Sequence, residues 1–294
     1  NLLWKELHFV SEDALVQVDA FEQLMQFATQ DADPSAFEGM RGPINERATA
    51  FRQELLDSRS SQLQAVLEFA GRAWRRPLDP VDVDQLRNLY QTLLSEELSH
   101  DAALRMLLAR VLVAPAFLYR SEKAATGADA AAVDQWELAT RLSYFLWSSM
   151  PDDLLMASAA SGSLSQPEVL RGHMHRMLSD NRSRRLATEF GAQWLHIRDF
   201  DRNDEKSEQH FPEFSGMRAD MYEESLQFLT HLVQENASVL DLFDADYTFL
   251  NESMAKYYGI PNVIGPQWRR VDGVRQYSRG GILGFASTLS KQSG

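Results

Sequence analysis

Two histidines, a run of loop acids and one arginine are the side chains of this 294-residue chain whose types and spacing invite chemistry. His173 and His175 could supply a pair of imidazoles to a metal ion. On a helix, residues two apart point to different faces, so they can share an ion only if the helix unwinds, and a surface or interface role is the plainer reading. Asp199, Asp201 and Asn203 fall at the alternate positions of a calcium loop. The position that needs Gly for the turn holds Asp204, however, and the twelfth, where a bidentate Glu belongs, holds His210. The run is therefore no EF-hand. A single-loop calcium site on Asp199, Asp201 and Asn203 stays open beside the reading of solvated loop acids. Ser143, Ser148 and Ser149 lack the G-x-S-x-G elbow of a nucleophile, and no His stands in a motif relation to them. Serines beside aromatics in a helix commonly bond their own backbone.

Arg141 stands between Thr140 and Leu142, on a helix whose other residues read largely as buried. An inward guanidinium needs a carboxylate, and Asp152 or Asp153 could supply it. Arg141, Asp152 and Asp153 are thus candidates for a structural ion pair or a substrate contact. Arg75-Arg76-Pro77 reads as a helix end with cations near its negative pole. Gly280-Gly281 and Gly284 are too sparse for a phosphate cradle and read as a turn. Trp136, Tyr144, Phe145 and Trp147 could stack a ligand, but their helical spacing fits core packing better. No recognisable catalytic set emerges.

The element that positions most of these residues is Val133–Leu164. Asp134 and Glu137 form a capping-box pair, and Leu138, Leu142, Phe145 and Leu146 follow on one expected face, with Trp147 in the last turn before Pro151. Asp152-Asp153 restarts a second helix at its positive end. Upstream, helices are expected over 2–30, 45–76 and from Pro80, with a loop over 31–43. Leu104, Leu107, Leu108 and Val111 mark a further buried face that Pro115 stops. Downstream, Ser165 is expected to cap a helix opening at Pro167. Another runs from Arg182 to His196 with Leu186, Phe190, Trp194 and Leu195 inward, and a polar loop follows over 198–210. A long helix spans Ser215–Gln234, and Asn251 caps a short one ended by Gly259. Trp268–Val274 and Gly280-Gly281 suggest a short hairpin or irregular segment.

The pattern predicts an all-α fold: a multi-helix array in two or more subdomains. The expected division is an N-terminal helical domain over 1–123, an Ala/Gly-rich linker over 124–132, a central helical domain over 133–235 and a partial domain over 236–294. Apolar content of 44% supports a real core, and a formal charge of −13 argues against nucleic acid, which needs a clustered basic face. The local clusters Arg72, Arg75, Arg76 and Arg182, Arg184, Arg185 sit within an acidic whole. No run approaches the eighteen apolar residues of a membrane span. Without cysteine there are no disulfides, thiolate metal sites or covalent haem attachment in this stretch.

FAGRAWRRPLDPVDVDQLRNLY (Phe69–Tyr90) with ALRMLLARVLVAPAFLYRSE (Ala103–Glu122) resembles a helical domain of large planctomycete-type proteins. In those proteins two domains of unknown function follow it. Glu137–Leu164 is similar to the first of these, as is HFPEF (His210–Phe214); Asp244–Pro261 with RGGILGFASTLS (Arg279–Ser290) resembles the second. The resemblance covers roughly residues 65–294. It implies an exported protein, periplasmic or at the cell surface, tied to redox chemistry through c-type cytochrome domains on the same polypeptide. It also implies that this chain is truncated. No cofactor is expected within the chain itself; haem c would lie elsewhere, and the expected partners are the other domains, cytochromes among them. Two functions follow as alternatives. One is a non-catalytic helical scaffold or interaction module. The other is a redox-coupled enzyme acting on a small or carbohydrate-like substrate in a pocket between helical subdomains, where Arg141, an acid and a His would converge.

Overall fold

Capping chemistry sets most of the helix starts. The Asp79 carboxylate accepts from the Asp82 amide while Asp82 accepts from the Asp79 amide, so Pro80 opens its helix with a complete capping box. Asp134 and Glu137 make the same reciprocal pair. Asp152 and Asn251 each accept from the amide three residues on. Ser165 departs from expectation: no side chain caps the helix at Pro167, and the Ser165 hydroxyl accepts instead from Gln135 Nε2 at 2.8 Å.

The computed structural model describes residues 22, 38–120, 122, 132–203, 206–207 and 209–292. The helix expected over 2–30 and the linker expected over 124–132 lie, but for single residues, outside the described residues. Within the described part, the loop expected to run to Pro43 gives way to helix at Arg41. The chain divides after Tyr119 into two compact units. In the first, α1 (Arg41–Ala73), α2 (Pro80–Ser95) and α3 (His100–Leu112) bury Leu67, Ala70, Leu86, Tyr90, Leu107 and Val111. His100 ties all three together. Its Nε2 faces Gln62 Oε1 of α1 at 2.6 Å and its Nδ1 faces the Tyr90 hydroxyl of α2 at 2.7 Å. Arg75 is more than a cation at a helix end. It is 6% exposed and donates to the carbonyls of Ala73, Ala116, Phe117 and Tyr119, stitching the end of α1 to the turn after α3.

The second unit begins with α4 (Gln135–Trp147), α5 (Asp153–Ala160) and α6 (Pro167–Leu178), packed around Trp147, Leu155, Leu164 and Met177. The inward face of α4 carries Ala139, Ser143, Leu146 and Trp147, whereas Phe145 is 62% exposed. Small residues at its centre let the neighbouring helices approach closely, which turns the bulkier Phe145 outward. A long helix, α7 (Phe214–Gln234), then receives β1 (Tyr247–Leu250), α8 (Glu252–Tyr258), β2 (Arg269–Asp272) and α9 (Ala286–Gln292). The strands pair antiparallel from Tyr247↔Asp272 to Leu250↔Arg269. Among the described residues this two-stranded sheet is the one departure from an all-α fold. The short strand segment expected near the C-terminus is real, but its partner strand lies before α8. One core runs from Ala187 to Ala286, so the boundary expected at 235 falls inside a shared hydrophobic cluster.

Between α6 and α7 the chain does not hold one α-helix. It passes from a 3₁₀ turn at Asn181–Ser183 through a π turn at Ala187–Gly191. A π turn adds one residue to the helical count. The face projected forward from Leu186 therefore slips by one: Gly191 and Ala192 are buried, while Phe190 and Trp194 are 58% and 47% exposed. The polar loop expected over 198–210 also contains a helical turn, Phe200–Asn203, whose Phe200 is fully buried.

Gly281 sits at φ 62°, and a Cβ there would lie 2.6 Å from the Leu242 carbonyl oxygen and 2.7 Å from the Phe243 carbonyl carbon. Gly281→Ala should therefore cost about 1–3 kcal/mol, from left-handed backbone and backbone overlap together. Gly172→Ala, mid-helix with nothing within 4 Å of the added carbon, should instead gain about 0.5–1 kcal/mol. Thermal melts of the two variants against the parent check both signs.

Candidate functional site

Arg141 does not meet Asp152 or Asp153. Its side chain is 55% exposed and forms a two-pronged ion pair with Glu122. Asp152 instead caps α5 and takes Arg176 Nη1 at 2.6 Å, with Arg182 at 3.7 Å. Asp153 stands exposed in the first turn of α5. Asp199 takes a left-handed backbone (φ 58°), while Asp201 and Asn203 enter a helical turn. Among the described residues no three His, Asp or Glu side chains are grouped to hold a metal ion.

His173 and His175 separate as their spacing requires. His173 faces a shallow cleft with Ser158, His175 is exposed, and the Ser158 hydroxyl lies 2.8 Å from His173 Nε2. This contact looks like a serine–histidine pair until the other ring nitrogen is considered. Nδ1 lies 3.2 Å from Arg176 Nη2, and a guanidinium has only donors, so Nδ1 must accept. The ring proton is then on Nε2 and is donated to Ser158. A general base for a serine nucleophile needs the opposite arrangement. Burial, and then the Arg176 charge, hold His173 below the usual histidine range, which keeps the ring neutral. The serines singled out earlier are no better placed: Ser143 donates to the Thr140 carbonyl at 3.2 Å, and Ser148 is the left-handed C-cap of α4.

The most perturbed carboxyl in the second unit is Glu224, on α7. It is fully buried and uses both oxygens: Oε1 accepts from Thr248 Oγ1 of β1 at 2.7 Å, and Oε2 from the Tyr258 hydroxyl of α8 at 2.5 Å. The Tyr258 oxygen in turn accepts from the Ala286 amide at the start of α9, at 2.9 Å. The Arg279 guanidinium lies 4.1 Å from the centre of the Tyr258 ring and donates to the Gly284 carbonyl. Next to this chain of bonds, Ser225 and Ser287 share a buried hydrogen bond of 2.7 Å. Burial pushes the Glu224 carboxyl up to about 7, against the pull of the two hydroxyl donors and the Arg279 charge. Tyr258 is driven well above the ordinary tyrosine range, by its burial first and then by Glu224. The network joins α7, β1, α8 and α9 at one point.

A hollow of about 230 Å³ is lined by Met217 and Met221 of α7, Tyr257 of α8 and Phe211, with Lys206, His210, Glu213 and Ser290 as its polar lining. Neither the hollow nor the Ser158 cleft is lined by Glu224, Thr248 or Tyr258.

Residues 133–260 match the domain-family model PSD4: Protein of unknown function (DUF1592). A second match, PSD5: Protein of unknown function (DUF1595), covers residues 61–122. Neither a curated protein nor a solved structure matches the chain. The PSD5 segment holds Phe69–Glu122, and the PSD4 segment holds Glu137–Leu164 and His210–Phe214. PSD4 also takes in Asp244–Ile260, which the resemblance had assigned to a second domain, while Arg279–Ser290 lies in neither match. The Glu224 network thus begins inside the PSD4 segment and closes outside it, on Arg279 and Ala286.

Sequence reasoning passed over Glu224. The signal was there: Glu224 stands three residues after Met221 and four before Phe228, on the apolar face of α7. The same reasoning, a charge set among inward residues, was spent on Arg141.

Proposed function

We propose that this chain is a non-catalytic helical scaffold and interaction module, working beside c-type cytochrome domains in a longer, exported polypeptide. One observation carries the reading. Glu224, the group most shifted toward acid–base use, spends both oxygens on Thr248 and Tyr258 inside the fold and reaches neither cleft. Its service is to hold elements together. Two surface features support docking. Val239, Leu240, Phe243 and Leu283 are each at least 60% exposed, and Gly281 brings the Leu283 turn against the Leu242–Phe243 backbone, making an apolar patch. The charge of −13 suits a basic partner domain.

The cytochrome linkage and the export rest on the resemblance and on the two matched families, which are typical of such multidomain proteins. Haem c would belong to the neighbouring domains. Among the described residues no helix is long and apolar enough to cross a membrane. The redox-enzyme alternative needs Arg141, an acid and a His gathered at one cleft; Arg141 is paired with Glu122 and lines neither cleft.

Cross-linking of the whole polypeptide with its haems, read by mass spectrometry, should place the 239–243 patch against another domain. A screen of small molecules and sugars for haem reduction should give no signal that depends on this chain's polar residues. Reduction abolished by His173→Gln or Arg141→Gln would overturn the scaffold reading.

A further inference from the structure

We propose that the hollow beside α8 is a binding site for a small single-ring phenol. This stands apart from the scaffold reading, which calls for no ligand. Size limits the occupant first. A cavity of about 150 Å³ lined by apolar side chains holds a benzene ring, so about 230 Å³ has room for one ring with one or two substituents. The lining then selects for an aromatic. Met217 and Met221 present polarizable thioethers, which favour ring contacts over purely aliphatic ones. Phe211 and Tyr257 line it too, 59% and 47% exposed, with ring surface still open to contact. The polar lining sets the substituent. The Glu213 carboxylate accepts and the Lys206 ammonium donates, a pair that a phenolic hydroxyl satisfies as both donor and acceptor, whereas a ring carboxylate is drawn to Lys206 but repelled by Glu213; His210 and Ser290 complete the polar lining.

The occupant would contact α7 through Met217 and Met221 and α8 through Tyr257, two of the elements that Glu224 and Tyr258 join one turn away. Bound phenol would therefore stabilise the second unit from a surface that the buried network does not reach.

The test is a titration of the chain, with methyl-labelled methionine, by p-cresol, cyclohexanol and benzoate in parallel. The expected result is a saturable shift of the Met217 and Met221 methyl signals with p-cresol, and binding roughly tenfold weaker for each of the other two. Met217→Trp should fill the hollow and remove the p-cresol response. The exposed Glu213→Gln, which leaves the core untouched, should narrow the gap between p-cresol and benzoate. The proposal fails if p-cresol gives no saturable shift at Met217 in the parent protein. It fails equally if cyclohexanol binds as well as p-cresol, or if a folded Met217→Trp still responds.

Discussion

The stability of the parent protein relative to its Glu224→Gln variant should fall as pH rises from 4.5 to 7, read as the difference between their urea midpoints. A glutamate carboxyl in the unfolded chain titrates near 4.5, and burial raises it to about 7 in the folded protein. Between those values the folded state holds a proton that the unfolded state has released. Unfolding stability then falls as pH rises. The contribution of Glu224 is complete below 4.5 and is lost as pH climbs through 7. The interval corresponds to about 3 kcal/mol. Asp82, Asp152 and Asp180 act with the opposite sign, because their pKa values are lowered in the fold and their contributions disappear as pH falls below the ordinary aspartate range. His173 and His231, which burial holds below the usual histidine range, also gain with rising pH inside the interval; all five groups are common to both proteins and cancel in the difference. Gln keeps one acceptor for a hydroxyl and cannot ionise. Parallel pH profiles for parent and variant would show that Glu224 does not titrate in this range.

Trp147→Ala should be the most damaging single truncation in the second unit, at about 3–5 kcal/mol. The indole is fully buried, and its Nε1 donates to the Met177 carbonyl at 2.9 Å, joining α4 to the end of α6. The Arg182 guanidinium lies 3.5 Å from the ring centre, with Arg176 at 5.5 Å. Removal would open a cavity among Leu155, Leu164 and Met177 and leave the Met177 carbonyl with only the longer bond from the Asp180 amide, at 3.4 Å. It would also deprive two cations of the aromatic face beneath them. Trp147→Phe separates the contributions: it keeps most of the ring and loses the hydrogen bond, so about 1–3 kcal/mol is expected. Urea denaturation of the three proteins gives the order. A loss below about 1 kcal/mol for the Ala variant would mean that the corner between α4 and α5 repacks without its indole.

Local chemistry was the legible part of this chain. Pro80, Asp134, Asp152 and Asn251 announced their helices because a helix start is decided within four residues. Long-range pairings were not legible. Thr248 and Glu224 are 24 residues apart, and Tyr258 and Glu224 are 34, so nothing in either stretch alone discloses the other. Arg141 was misread for a related reason. Its helix is apolar on more than one side, and hydrophobicity alone did not reveal that Ala139 and Ser143 lie at the centre of the packed face. Strand β1 was missed because four residues between two helical signals carry too little periodicity.

The π turn at Ala187–Gly191 bears on how the chain can change length. A residue accommodated as a local widening leaves the flanking turns where they were. A chain one residue shorter at this place would close to an ordinary α turn and keep Ala187 and Ala192 seated, whereas the same deletion in α7 ahead of Glu224 would swing its carboxyl by about 100° away from Thr248 and Tyr258. Homologues of unequal length should therefore differ here and not in α7.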